Sequence, residues 1–241
     1  MGPIRNIDGM KRNYGPWVAG DDGDAKSRLL GAAVTRFAVE GYAGVSIREI
    51  AAAAGQSSAM ISFYFGGKEG IHQAAVGRAC HQVECLVDSF PALPGDAEPD
   101  ARPRAEAALG ETIRILLRLA LPAQSPMDDQ GAFTFALIML YLRELSSSVP
   151  ETESLVLAAA RPHADYMNRC IQAIRPDLDA RSALAIGMSI YGQLLFFLTY
   201  KGVVPSFGKA GFAETGLASL AEHVTDFVLR GLRPSWSAFP A

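Results

Sequence analysis

The chain has 241 residues, of which 49% are hydrophobic and 20% charged, and its formal net charge is −3 at pH 7. This composition is typical of a globular protein, and it excludes a disordered chain, a collagen and a disulfide scaffold. Because three cysteines are an odd and sparse set, we interpret Cys80, Cys85 and Cys170 as reduced thiols of a cytoplasmic protein. The most apolar run, residues 186–198, is shorter than the roughly 20 residues of a membrane-spanning helix, so we expect no membrane partner.

Charge is distributed unevenly along the chain. Residues 1–24 are rich in glycine and lack the apolar stretch of a signal peptide, which predicts a flexible tail. Residues 25–70 carry five basic and three acidic side chains, whereas residues 71–241 carry 14 basic and 18 acidic ones. A slightly basic module therefore precedes a larger acidic body, which favours a nucleic-acid-binding segment at the front.

The basic module begins with two predicted helices. Apolar residues recur at intervals of three and four from Ala25 to Glu40, which predicts an amphipathic helix that Gly41 ends. Ser46, followed three residues later by Glu49, forms a capping-box pattern at the start of a second, short helix.

A third short helix follows after only three residues, 55–57. We expect Ser57 to be its N-cap and the helix to run over residues 58–65. Two short helices across a tight turn are typical of a helix-turn-helix, whose second helix lies in the major groove of DNA. The spacing turns Ser58, Ala59 and Ser62 outward, where hydroxyl and methyl groups can read base edges.

Residues 25–74 as a whole resemble the DNA-binding segment of the TetR family of transcriptional regulators. The resemblance depends on the helix end at 37–41, the sequence SIREIA at 46–51, AG at 54–55 and FGGKEG at 65–70. It implies an all-α protein in which a three-helix DNA-binding domain, residues 25–70, precedes a helical bundle for dimerisation and effector binding, residues 71–241.

The resemblance also implies a set of DNA-binding residues. Arg48 corresponds to a base contact, the residues around Ser62 to the recognition surface, and Ser46, Tyr64 and Lys68 to phosphate contacts. The full set is Ser46, Arg48, Ser57, Ser58, Ala59, Ser62, Phe63, Tyr64 and Lys68.

Two of these positions depart from the family pattern, which commonly has Tyr at Ser62 or Phe63 and His at Tyr64. Phe63 has no hydroxyl to donate to a phosphate, whereas the Tyr64 hydroxyl can replace the imidazole. The alternative is that Phe63 and Tyr64 pack against the helix-turn-helix and that Lys68 is a solvated residue at a helix start.

Prolines divide the acidic body into further helices, after a long helix from Lys68 to Phe90. We place them at residues 104–121, 128–147, 151–161, 162–174, 179–202 and 211–232. The stretch 179–203 is apolar nearly all round, which predicts burial at a subunit interface. Residues 187–197, with 143–145 and 161–163, resemble the CecR-like branch of the family, which implies a homodimer through the last two long helices.

Aromatic, thioether and polar side chains of the body could line a pocket for a small-molecule effector. The candidates are Phe133, Met139, Arg143, His163, Tyr166, Met167, Tyr191 and Gln193. Alternatively the apolar ones are core residues, Arg143 binds a carboxylate or a helix end, and His163 is a surface residue.

Enzyme motifs are not visible in the sequence. It has no GxSxG, GxxxxGK[ST] or GxGxxG pattern, and the sulfur ligands at 80 and 85 lack a matching second pair for zinc. We therefore predict no enzyme, cofactor or metal, and a dimeric repressor that a small-molecule effector releases from a palindromic operator. The alternatives are a helical small-molecule-binding protein without DNA binding, or an activator with the same DNA-binding segment.

Overall fold

The computed structural model describes residues 25–95, 100–120, 129–147, 149–199 and 217–233. These residues form helices and no strand, which confirms the all-α class. The helices are α1 (Ala25–Gly44), α2 (Ile47–Ala53), α3 (Ser58–Phe65), α4 (Lys68–Val87), α5 (Ala101–Ala120), α6 (Asp129–Ser147), α7 (Pro150–Ile174), α8 (Ala180–Thr199) and α9 (Leu217–Gly231). The predicted tail and the segment between α8 and α9 lie outside the described residues.

Local signals set the first three helices largely as predicted. Gly41, at φ 75° and ψ 172°, interrupts the helical backbone of α1. The capping box of α2 is complete, since the Glu49 amide donates to Ser46 Oγ at 3.3 Å and the Ser46 amide donates to the Glu49 carboxylate at 2.8 Å. One detail is wrong: Ser57 occupies the N-cap position of α3, but its side chain makes no capping hydrogen bond.

Two predicted boundaries in the body are also wrong. The two helices expected on either side of residue 162 form one helix, α7, with Pro162 inside it. Proline at 162 removes one backbone hydrogen bond from α7. Packing nevertheless keeps both halves helical, because Val156 is buried in one core and Ile171 in another. α5 begins at Ala101 rather than at residue 104, because proline is tolerated in the first turn of a helix.

The described chain divides into two units. The first contains residues 25–85 and 129–160, so the predicted boundary at residue 70 falls inside it. α1 packs against α6 in this unit, and α2 and α3 pack against α1. Its core includes the fully buried side chains Leu29, Phe37, Ile50, Ile61, Ile71 and Leu140.

The second unit contains the described residues of 86–120 and 161–233. α5 packs against α8 and α9, and its own core includes Leu109, Ile113, Leu117, Met167, Ile171 and Ala221. The buried Arg175 guanidinium donates to the Leu232 carbonyl at 3.2 Å, which joins the end of α7 to the residue after α9. No described helix is by itself long and apolar enough to cross a membrane. Among the described helices, only α6 and α7 taken together, a pair bent by 112°, have the length and composition of a membrane span.

Candidate nucleic-acid interface and effector site

The outward face of α3 is the first candidate site. Ile61 anchors this helix with a fully buried side chain, and Met60 and Phe65 pack against the same core. Ser57, Ala59 and Ser62 are exposed and Ser58 is half-buried, so the small residues expected to face DNA are accessible there. A helix with small outward residues can approach base edges closely.

Phe63 and Tyr64 have different environments. The Tyr64 ring packs partly buried against the core of the first unit, whereas Phe63 is 78% exposed. The two rings meet edge to face with centroids 5.0 Å apart. Packing against the helix-turn-helix therefore describes Tyr64 but not Phe63.

Cationic side chains flank the outward face. Arg48 is exposed on α2. Lys68 is half-buried at the start of α4, with its Nζ 4.5 Å from the centroid of the Tyr42 ring, so a cation–π contact positions the ammonium. Ser46 is exposed at the start of α2 with its hydroxyl engaged in the capping box. A phosphate contact at Ser46 would share that hydroxyl.

The carboxylate of Glu49 lies on the same surface and is engaged in the capping box of α2. Hydrogen bonds from the backbone and side chain of Ser46 hold the pKa of Glu49 below its ordinary value, so it is ionised at neutral pH. Its negative charge lies in the first turn of α2, where it interacts favourably with the positive end of the helix dipole and stabilises the helix. The surface around α3 thus combines small residues, one exposed aromatic ring and the ammonium of Lys68.

Residues 29–75 match the family model of bacterial regulatory proteins of the tetR family. This segment of the chain is therefore similar to the tetR family of bacterial regulatory proteins. The match covers most of α1, all of α2 and α3, and the first turns of α4, which are the elements that form the surface described above. No curated protein sequence matches the chain.

Several solved structures share the helical fold of this chain. A tetR-family regulator from Rhodococcus RHA1 has a TM-score of 0.61 at 19% identity over 87% of this chain and 97% of its own. PfmR from Thermus thermophilus has a TM-score of 0.59 at 18% identity, with 86% and 97% covered. AibR in complex with isovaleryl coenzyme A and operator DNA has a TM-score of 0.58 at 17% identity, with 87% and 97% covered.

A buried polar network in the first unit was missed at the sequence level. His72 Nε2 lies 3.1 Å from Glu144 Oε1, and the Thr152 hydroxyl donates to Glu144 Oε2 at 2.8 Å. The His72 ring also contacts the rings of Phe37 and Tyr42, with centroids 4.8 and 4.7 Å away. This network joins α1, α4, α6 and α7. Its only sequence signal was a histidine at a register position shared with buried residues of α4.

The candidate ligand residues fall in both units. Phe133, Met139 and Arg143 belong to the first, where Met139 packs against the core. The Arg143 guanidinium donates to the carbonyls of Ala38 at 3.3 Å and Val39 at 2.8 Å, so it caps the helical backbone before Gly41. Of the alternatives for Arg143, the contact with a helix end is the one present in the structure.

The other candidates lie in the second unit, where several of them form an aromatic cluster. Phe90 is 5.4 Å from the ring of His163 and 5.0 Å from that of Tyr166, and the Tyr191 hydroxyl lies 3.5 Å from His163 Nδ1. His163 is buried rather than a surface residue. Met167 is fully buried in the core, and Gln193 is half-buried on α8.

Two hydroxyl groups give the cluster its polarity. The Tyr166 hydroxyl donates to the Pro91 carbonyl at 2.9 Å and lies 3.2 Å from the hydroxyl of the buried Thr112. Burial raises the pKa of Tyr166, so the phenol stays neutral and can act as donor and acceptor. We define the aromatic cluster as Phe90, His163, Tyr166 and Tyr191; sequence reasoning missed Phe90.

Proposed function

We propose that this chain is a homodimeric transcriptional repressor that binds a palindromic operator through residues 57–65 of each subunit and is released by a small-molecule effector. The observation that carries the proposal is the outward face of α3, where Ala59, Ser62 and Phe63 are exposed. Arg48 is exposed on α2, the neighbouring helix. AibR, which has the same fold, was solved with both operator DNA and isovaleryl coenzyme A, so this architecture can bind both kinds of ligand.

Selection of bound sequences from random duplex DNA tests the operator. A symmetric dimer binds two half-sites one helical turn apart, about 34–36 Å, or a multiple of it. Enrichment of a palindrome with such a spacing supports the proposal. The absence of any enriched sequence would rule out specific DNA binding and favour a small-molecule-binding protein.

Salt dependence separates phosphate contacts from base contacts. Lys68→Ala should weaken binding to all sequences alike and flatten the slope of log affinity against log salt by about one unit, because one phosphate contact is lost. Arg48→Ala is the matched comparison and should change the preference between operator variants instead. An unchanged slope in Lys68→Ala would contradict the phosphate assignment.

Charge on the recognition surface should abolish binding without unfolding the protein. Ser62→Glu places a carboxylate against the DNA, yet Ser62 is exposed in the free protein, so the thermal midpoint should stay nearly unchanged. Retained operator binding by this variant would exclude α3 from the interface.

Exposed apolar side chains on α8 and α9 support the dimer. Leu184 is 47% exposed and Met188 65% exposed, one turn apart on α8, and Phe227 on α9 is 62% exposed. Met188→Glu should therefore shift the chain toward monomer in sedimentation analysis. The control is Leu157→Glu on α7, also at an exposed leucine, which should leave the dimer intact.

Effector binding is proposed at the aromatic cluster, where aromatic surface and the Tyr166 hydroxyl are combined. A ligand weakens operator binding only as far as its affinity differs between the two states of the dimer, typically about 5- to 150-fold. Operator duplex must then weaken that ligand by the same factor. Titration of any ligand found by thermal-shift screening, with and without operator, tests this: equal affinities would exclude it as an effector.

A further inference from the structure

Phe63 has no structural explanation within the free protein. At 78% exposure it is the most accessible large apolar side chain among the described residues, although it lies on a helix whose other aromatic residues are partly buried. Its contact within the first unit is the edge of the Tyr64 ring. A single exposed apolar side chain needs no partner by itself. Phe63, however, lies on the face proposed to enter the DNA groove, so a partner for it there would be an apolar group.

The helix geometry directs Phe63 toward the centre of the outward face. Residues three and four apart are neighbours on a helix, so Ala59, Ser62 and Phe63 form one surface stripe. Helical side chains also lean toward the N-terminus, which places the Phe63 ring over the turn that contains Ala59. Ala59 and Phe63 thus make a small apolar patch next to the Ser62 hydroxyl, on the part of the helix that would enter the groove.

The chemistry of DNA leaves one partner for this patch. A phenyl ring cannot donate to a phosphate, and it has no donor or acceptor for a base edge. The apolar group that B-DNA presents in its major groove is the C5-methyl of thymine. We propose that Phe63, with Ala59 beside it, reads a thymine methyl in each half-site of the operator. The inference depends on the DNA-binding function proposed above and names a specificity-determining residue for it.

Replacing thymine by uracil removes only this methyl group and keeps every hydrogen bond of the base pair. The probe is the duplex recovered by selection, with each thymine pair of the palindrome changed to 2′-deoxyuridine in turn, and the protein is the full chain. Each half-site should contain one thymine whose replacement by uracil weakens binding. With one such replacement, wild type should bind about fourfold more weakly than it binds the thymine duplex, as expected from the free energy of burying one methyl-sized group. Changing both half-sites should give about 16-fold, because distant sites add.

The coupling with Phe63 decides the proposal. In Phe63→Ala the ratio between thymine and uracil duplexes should fall to about one, while the exposed position leaves the thermal midpoint unchanged. The matched control is Val39→Ala, which truncates a side chain of 71% exposure on α1 and should keep the wild-type ratio.

Several outcomes would overturn it. The same thymine-to-uracil ratio in wild type and Phe63→Ala would exclude Phe63 as the reader, and no sensitivity at any thymine would exclude methyl readout altogether. If Phe63→Tyr strengthened binding to all duplexes by one factor, the ring would lie at the phosphate backbone instead. Failure to select any duplex would refute the proposed function itself, and is thereby distinguishable from a failure of this inference.

Discussion

Glu144 is buried in the first unit, and neutralising it should weaken that unit measurably. Its side chain is about 4% exposed and takes part in two hydrogen-bonding contacts, with His72 Nε2 at 3.1 Å and from the Thr152 hydroxyl at 2.8 Å. Glu144→Gln keeps the volume and one acceptor oxygen but removes the negative charge. The substitution therefore tests the charge of the network rather than its packing.

The expected loss follows from the two contacts. A hydrogen bond to a charged group contributes about 1.5–3 kcal/mol and a neutral one about 0.5–1.5 kcal/mol, so each contact loses roughly 1 kcal/mol. We expect Glu144→Gln to lower the free energy of unfolding by about 2 kcal/mol at pH 7. Urea unfolding of the full chain, followed by helical circular dichroism, measures this loss at fixed protein concentration.

The pH dependence gives a sharper signature. Burial alone would raise the pKa of Glu144, but the contacts with His72 and Thr152 outweigh it and hold the pKa below its ordinary value of 4.5. A carboxyl group whose pKa is lowered on folding stabilises the protein above its unfolded pKa, and this contribution disappears as pH falls through the folded value. The difference between wild type and Glu144→Gln should thus shrink as the pH falls below about 4.5.

A surface carboxylate provides the control. Glu106 pairs with Arg102 at 2.9 Å on an exposed part of α5, so Glu106→Gln should cost less than about 0.5 kcal/mol. Carboxylates away from this network titrate alike in wild type and variant, so the loss of the difference below about pH 4.5 reports on position 144. A Glu144→Gln variant as stable as wild type, or a difference that does not change with pH, would refute the role assigned to the charge.

Three further predictions concern backbone and thiol chemistry. Gly41→Ala should destabilise the chain by about 2–3 kcal/mol in urea unfolding, because φ 75° with ψ 172° is almost exclusive to glycine and a Cβ would lie 2.8 Å from Arg143 Nη1. The control is Gly55→Ala, at φ 63° with nothing within 4 Å of the added Cβ, which should cost only about 1 kcal/mol. Equal losses in the two variants would contradict this reasoning. Arg143→Met should cost about 1 kcal/mol by the same assay, since two hydrogen bonds to α1 carbonyls are lost, and a neutral effect would show that the cap contributes nothing. Iodoacetamide at pH 7.5 should label the exposed Cys85 well before the buried Cys80, because burial raises the pKa of Cys80 to about 12. Mass spectrometry of protein digested after increasing labelling times measures the order. Equal labelling rates for the two thiols would contradict the prediction.

The sequence predicted best those elements that local interactions determine. The capping box of Ser46 and Glu49 depends on residues three positions apart, and the structure confirms it. Gly41 was predicted to end the first helix; it does leave the helical conformation, but helical backbone resumes beyond it and α1 extends to Gly44. Contacts between residues that are distant in sequence could not be predicted in this way. Arg143 binds carbonyls more than 100 positions away, and Glu144 meets His72 across 72 positions, so neither partner could be read from spacing.

The errors have the same cause. Pro162 ends a helix by its local preference, but burial on both sides of it keeps α7 continuous, and tertiary packing outweighs the missing hydrogen bond. The outward face of α3 was predicted from helical spacing alone, whereas the partly buried Tyr64 and the accessible Phe63 differ by one position and required the packing to tell them apart. The roles of these side chains toward DNA and effector stay predictions.

The discontinuous first unit has a practical consequence for protein engineering. Residues 25–85 share their core with Leu137, Leu140, Val156 and Ala159, which come from 129–160. An expressed fragment that stops at residue 85 would leave that apolar surface bare and should aggregate, whereas a fusion of the two segments retains the whole core. A chimera that receives the proposed DNA-binding surface should accordingly include α6 and the first half of α7 together with α1 to α4.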